Sequence, residues 1–118
     1  MSGSQVAVKE EITWSPICKT DDIPFGVGVG ALINGHQVAI FKIPGKNEFA
    51  AIDNYCPFAN ANVLSRGIVG DLKGKVVDAS PIYKQHYDLA TGNCLEDENV
   101  KLNVFSVRVN DGMIEVAA

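Results

Sequence analysis

The side chains of this chain that could do chemistry are few and scattered. There are three cysteines, Cys18, Cys56 and Cys94, and two histidines, His36 and His86. Two histidines make a zinc site only with thiolate help, and no C-x-x-C or H-x-x-x-H spacing supplies it. His36 adjoins an Asn34-Gly35 turn signal and reads as a solvated turn residue, while His86 reads as exposed at a loop tip. Cys56 has the chemistry of a nucleophile, but nothing in the sequence pairs it with an activating base, so it reads as a buried thiol packing as a small hydrophobe. Ser80, Tyr83 and Tyr87 fall close together. A serine without a base and tyrosines among apolar neighbours serve structure more often than acid–base catalysis.

Gly26-Val27-Gly28-Val29-Gly30-Ala31 matches the dinucleotide pattern G-x-G-x-x-A, with the acidic Glu48 about twenty residues further on. That fingerprint works only between a buried strand and a helix N-terminus, where backbone N–H groups meet a pyrophosphate. Here Asp21-Asp22-Ile23-Pro24 precedes it and Asn34-Gly35 would interrupt the helix within one turn, so the run reads as a glycine-rich strand of a hairpin. The acidic run Glu96-Asp97-Glu98 reads as solvated surface, with an interaction patch as the alternative.

The elements that must position these residues are short and extended. Residues 1–11 read as a loose tail and 12–118 as a single domain. Trp14 and Ile17 are early core candidates, and Pro16 and Pro24 bar a long helix. Two apolar segments within Gly28 to Phe41 flank Asn34-Gly35, the strongest short signal for a type I′ hairpin. Phe49 to Ile52 resumes as a strand leading into the Cys56 stretch, Ile68 to Lys75 reads as turn-rich, and Val76 to Ala79 as a short strand. Gly92 to Val100 reads as an acidic exposed segment. Val104 to Val109 alternates with period two, Asn110-Asp111-Gly112 turns, and Met113 to Val116 returns. No sustained 3.6-residue period or internal repeat is present, so the class is all-β, a sandwich or barrel.

Composition bounds the function. The 118 residues suffice for one core, and 47% hydrophobic with 20% charged residues describe an ordinary globular chain. The net charge of −4 and the lack of a basic run exclude nucleic acid and anionic membranes as expected partners. The N-terminus lacks the pattern of a signal peptide, and the longest apolar-leaning run, Gly26 to Ile33, is too short to span a bilayer. With cysteines of the reduced type, the expected location is cytoplasmic.

Two stretches carry a resemblance. Cys56-Pro57-Phe58 followed by Leu64-Ser65 and Gly67 resembles the first cluster-binding loop of Rieske iron–sulfur proteins, which runs C-P-H and then L-S-x-G. Ala79-Ser80-Pro81-Ile82-Tyr83 with Tyr87-Asp88-Leu89 and Thr91-Gly92 resembles the second loop. In that register the four ligand positions hold Cys56, Phe58, Ser80 and Tyr83. A Rieske 2Fe-2S centre needs two thiolates and two imidazoles. Phe58 has no lone pair to donate, and Tyr83 would have to bind as a phenolate from a pKa of about 10. The resemblance therefore implies a Rieske-like β-sandwich or barrel, with a smaller loop subdomain at a former cluster site that holds no metal. Phe58 is expected to fill that emptied pocket, making a packed apolar tip.

Among Rieske-like proteins, the chain resembles the small subunit of the cytoplasmic NAD(P)H-dependent nitrite reductase. The segments that carry this are Trp14 to Ile23, Val38 to Phe41, Pro57-Phe58, Val63-Leu64-Ser65-Arg66-Gly67, Ala79-Ser80-Pro81, Lys84-Gln85 and Cys94 to Glu98. The resemblance implies a complex of nitrate assimilation that reduces nitrite to ammonium, whose large subunit holds FAD, an iron–sulfur cluster and sirohaem. This chain would bind no cofactor and carry no catalytic residue, serving the large subunit structurally or as a regulator. The docking surface expected from the two loops comprises Phe58, Ala59 and Asn60 with Tyr83, Lys84, Gln85 and His86. The alternatives are a free-standing protein-binding module on the same scaffold and, behind it, a Rieske-type ferredoxin that carries electrons.

Overall fold

The computed structural model describes residues 13–24, 26–43, 48–72, 74–81 and 85–118. The expected tail, together with Tyr83 and Lys84, lies outside the described residues. Among the described residues, eleven strands and two single 3₁₀ turns make up the regular structure.

The larger unit is a six-stranded antiparallel sheet in the order β1-β11-β10-β4-β3-β2. Its strands are β1 (Ser15–Lys19), β2 (Val29–Ile33), β3 (His36–Lys42), β4 (Phe49–Asp53), β10 (Val104–Asn110) and β11 (Met113–Ala117). Both hairpins turn where their sequence requires left-handed backbone. Asn34 and Gly35 have φ of 49° and 85°, and Asp111 and Gly112 of 56° and 80°, closing Ile33 on His36 and Asn110 on Met113. β3 explains its own continuous apolar run. Val38 and Ile40 face a core shared with Ile23, Ile33, Ala51, Ile114 and Val116, while Ala39 and Phe41 face a second core on the opposite side. A strand buried on both faces shows no alternation.

That second core joins the sheet to the smaller unit. Ala39, Phe41 and Ile52 meet Cys56, Leu64, Tyr87, Leu89, Cys94 and Leu102. The smaller unit contains a two-stranded hairpin, β5 (Tyr55–Cys56) with β6 (Ala61–Asn62), and a three-stranded sheet of β7 (Ile68–Leu72), β8 (Lys75–Ala79) and β9 (His86–Asp88).

Three segments differ from expectation. Ile68 to Leu72 is a strand in register with β8, not a turn-rich connection. Gly70 and Asp71 lower its β propensity, and cross-strand pairing with Val77 and Val76 overrides that. Ser15 to Lys19 forms an edge strand on β11 with a register shift between Pro16 and Cys18, which is where a sheet tolerates proline. Gly92 to Val100 is not simply exposed: Gly92 and Cys94 are buried, and Cys94 N donates to Val100 O. The glycine run enters a strand at Val29 and no helix follows it, Gly26 to Gly28 being bend and irregular backbone. A Cβ on Gly28 would sit 2.6 Å from the Phe41 ring, so glycine lets the chain pass under that buried aromatic.

Candidate functional site

The first loop is built from Asn54 outward. Asn54 is 4% exposed, and its backbone N donates to Gln37 O at 2.9 Å. Its carbonyl accepts from Leu64 N at 3.0 Å, and its side-chain oxygen accepts from Ser65 N at 2.7 Å. One buried residue thus ties strand β3 to the far end of the loop, with its backbone on Gln37 and Leu64 and its side chain on Ser65. The turn between β5 and β6 closes through Asn60 N donating to Cys56 O at 2.8 Å, with Asn60 at φ 55°. The Tyr55 hydroxyl donates to Asn60 Oδ1. A 3₁₀ turn, Leu64–Arg66, follows.

Inside this loop Cys56 is fully buried, as read from the sequence. Its Sγ lies 3.8 Å from Ser80 Oγ and 3.6 Å from the Tyr87 hydroxyl. Ser80 is 1% exposed, and Ser80 N donates to Gln85 O at 2.8 Å, closing the second loop. The two positions where a cluster-bearing relative would hold cysteines therefore stand side by side in the core. Burial pushes the Tyr87 phenol up, with the Cys56 contact adding to it, so the ring is a neutral neighbour of the thiol.

Phe58 departs from expectation. It is 37% exposed and does not fill a buried pocket, because the turn from Pro57 to Asn60 carries it outward. Ala59 packs on the second core and Asn60 is exposed. Gln85 points inward, its Oε1 buried with no partner among the described residues. His86 is half-buried at the start of β9 rather than exposed at a loop tip. Its backbone N donates to Glu96 Oε1 at 2.7 Å and its ring Nδ1 stands 2.6 Å from Glu96 Oε2. Burial alone would raise the Glu96 carboxyl, but these bonds to His86 hold it below the usual carboxylate range. His36 is exposed, as read, with its ring 5.8 Å from that of Phe105.

Sequence reasoning missed Asp78. It is fully buried on β8, between Val69 and Tyr87 in register, and neither carboxylate oxygen has a partner among the described residues. Burial, with the neighbouring Cys56 adding to it, raises its pKa to about 8, so it is a neutral acid at pH 7. The signal was present: an aspartate inside Val76-Val77-Asp78-Ala79, where a half-buried strand calls for apolar residues. Asn54 left a weaker trace, a polar residue directly after a strand, and the Glu96 bond to His86 left none.

The protein family defined by this fold matches the chain directly. A Rieske-like [2Fe-2S] domain profile matches residues 13–117. The nitrite reductase (NADH) small subunit of Salmonella typhimurium is 44% identical over 103 residues, covering 87% of this chain and 95% of its own. The solution structure of Escherichia coli NirD superposes with a TM-score of 0.84 at 39% identity, covering 92% of this chain and 98% of that one. The nitrite reductase [NAD(P)H] large subunit of Klebsiella oxytoca is 36% identical over 103 residues, which are 87% of this chain and 11% of that subunit. This chain belongs to the nitrite reductase small-subunit family of Rieske-like domains.

The cluster in the family description does not fit the residues present. Cys56 offers one thiol, Ser80 a hydroxyl at 3.8 Å and Phe58 no donor atom. Among the described residues, no group of three His, Cys, Asp or Glu side chains converges as a metal site.

Proposed function

We propose that this chain is the small subunit of an NAD(P)H-dependent nitrite reductase, without a redox centre of its own, serving the catalytic large subunit structurally or as a regulator. The similarity of nearly the whole chain to a segment of the K. oxytoca large subunit carries this reading. A domain found both as a separate chain and inside a larger polypeptide is one that works in physical contact with the rest of that polypeptide. On this reading the complex reduces nitrite to ammonium in the cytoplasm as part of nitrate assimilation. Flavin, iron–sulfur cluster and sirohaem reside in the large subunit. The former cluster loops form the docking surface, through Phe58, Ala59 and Asn60 with Tyr83, Lys84, Gln85 and His86. The packed Cys56, Ser80 and Tyr87 trio supports a scaffolding role, since it fills the former thiolate half-site with side chains that stiffen both loops.

The test is affinity capture of the tagged chain from its host grown on nitrite, read by the co-purifying chains and the absorption spectrum of the eluate. A large partner with flavin and sirohaem bands is the expected outcome. A tagged chain that elutes alone and colourless would overturn the reading.

A further inference from the structure

Two aromatic residues of the first loop face solvent, Tyr55 at 41% and Phe58 at 37% exposure. Exposed rings on a mobile loop would mean little, but this loop is braced. Tyr55 pairs with Asn62 and Cys56 with Ala61, Asn60 N closes on Cys56 O, and the Tyr55 hydroxyl bonds the Asn60 side chain. The rings are therefore presented without a large ordering cost on contact. A second apolar pair borders the following turn. Gly28 N donates to Ser65 O and Val69 N to Gly26 O, which sets the exposed Val27 beside Arg66, Gly67 and the 69%-exposed Ile68.

The first loop carries no acid of its own. The chain holds fourteen Asp and Glu against ten Lys and Arg, yet none of the acids lies between Asn54 and Gly67, whereas Glu96 reaches the second loop at His86. Arg66 is exposed and has no carboxylate partner among the described residues. Aromatic and arginine side chains with acids depleted are the composition of an interface core, and a cation at its edge selects the sign of the partner.

Resting on the subunit reading above, we infer that Tyr55 and Phe58 are the anchors of the contact with the large subunit. The surface they meet is an apolar recess bordered by carboxylates, which receive Arg66. Asn60 is a positioning residue, holding Tyr55 through its side-chain oxygen.

The experiment measures binding of this chain to its own purified large subunit, holding its cofactors, by interferometry at low and high NaCl. Phe58→Ala and Arg66→Glu are compared with wild type and with Val109→Ser, an exposed apolar residue on β10 beside the far hairpin turn. Phe58→Ala is expected to weaken binding about tenfold or more. Arg66→Glu should do the same at low salt and flatten the salt dependence, with Val109→Ser inside about twofold of wild type. All replaced side chains are exposed, and circular dichroism checks that each variant keeps its fold. Wild-type binding that both loop variants match within about twofold overturns the inference and leaves the subunit reading standing. No wild-type binding at all overturns both. So would self-association of this chain through Phe58 in place of binding.

Discussion

Asp78 is the residue whose state depends most on its surroundings. Its carboxyl is buried without a partner among the described residues, and its pKa is raised from 3.8 to about 8. Between those values the unfolded chain has released the proton and the folded chain still holds it. Rising pH therefore pulls towards the unfolded state throughout that window, and the loss is complete once pH passes about 8. Asn is similar in shape and has no proton to lose. Asp78→Asn should match wild type in stability near pH 4 and exceed it increasingly towards pH 8, by an amount on the order of 2–4 kcal/mol. Denaturant melts across that range measure it. A gap that stays constant with pH would show that Asp78 does not titrate in the fold.

At the scale of elements, the glycine-rich run and the cores on either side of β3 are tightly specified. Gly28→Ala would drive a Cβ to 2.6 Å from the fully buried Phe41 ring, so that ring or the chain at Gly28 must shift. Overpacking of this kind costs about 1–3 kcal/mol, and the melting temperature should fall by several degrees. Gly70→Ala is the control, since its Cβ meets nothing within 4 Å and alanine suits a strand better than glycine. If both variants melted together, the close approach of Gly28 to Phe41 would not matter to stability. The two hairpins, the all-β class and the pairing of the two loops were legible because they rest on local turn chemistry and on spacing between recognisable residues. The Cys56 and Ser80 contact at 3.8 Å is what that loop register requires. β7 was not legible, because pairing with β8 confers its extended state and its own residues do not announce it. The outward turn of Phe58 was not legible either. An aromatic at a former ligand position fits a filled cavity, yet Tyr87, from a different strand, reaches Cys56 first. Glu96 is exposed, as read, but its bond across ten residues to His86 has no periodic signature and was not legible.

For the whole molecule, both ends of the described chain leave from one place. Ser15 pairs with Val116 across β1 and β11, and Asn34 Nδ2 donates to Ala118 O, so the ends lie beside the first hairpin turn. On the proposed reading, a covalent join to the large subunit at either end would leave the sheet and both loops intact. This separates docking from any later role. A flexible tether gives a local concentration in the millimolar range, so it offsets a weakened contact without creating a new one. A linker of about twenty Gly and Ser residues spans about 25 Å on average, enough for the chain to find its own seat. Phe58→Ala supplied as a separate chain at low concentration should lose most of its support of nitrite turnover. The same variant fused to the large subunit through that linker should recover it to near the level of a wild-type fusion. Steady-state NAD(P)H oxidation with nitrite reads both. If the tethered variant stayed as poor as the free one, Phe58 would be needed after docking, and the loop would shape the large subunit's activity as well as hold the chain in place.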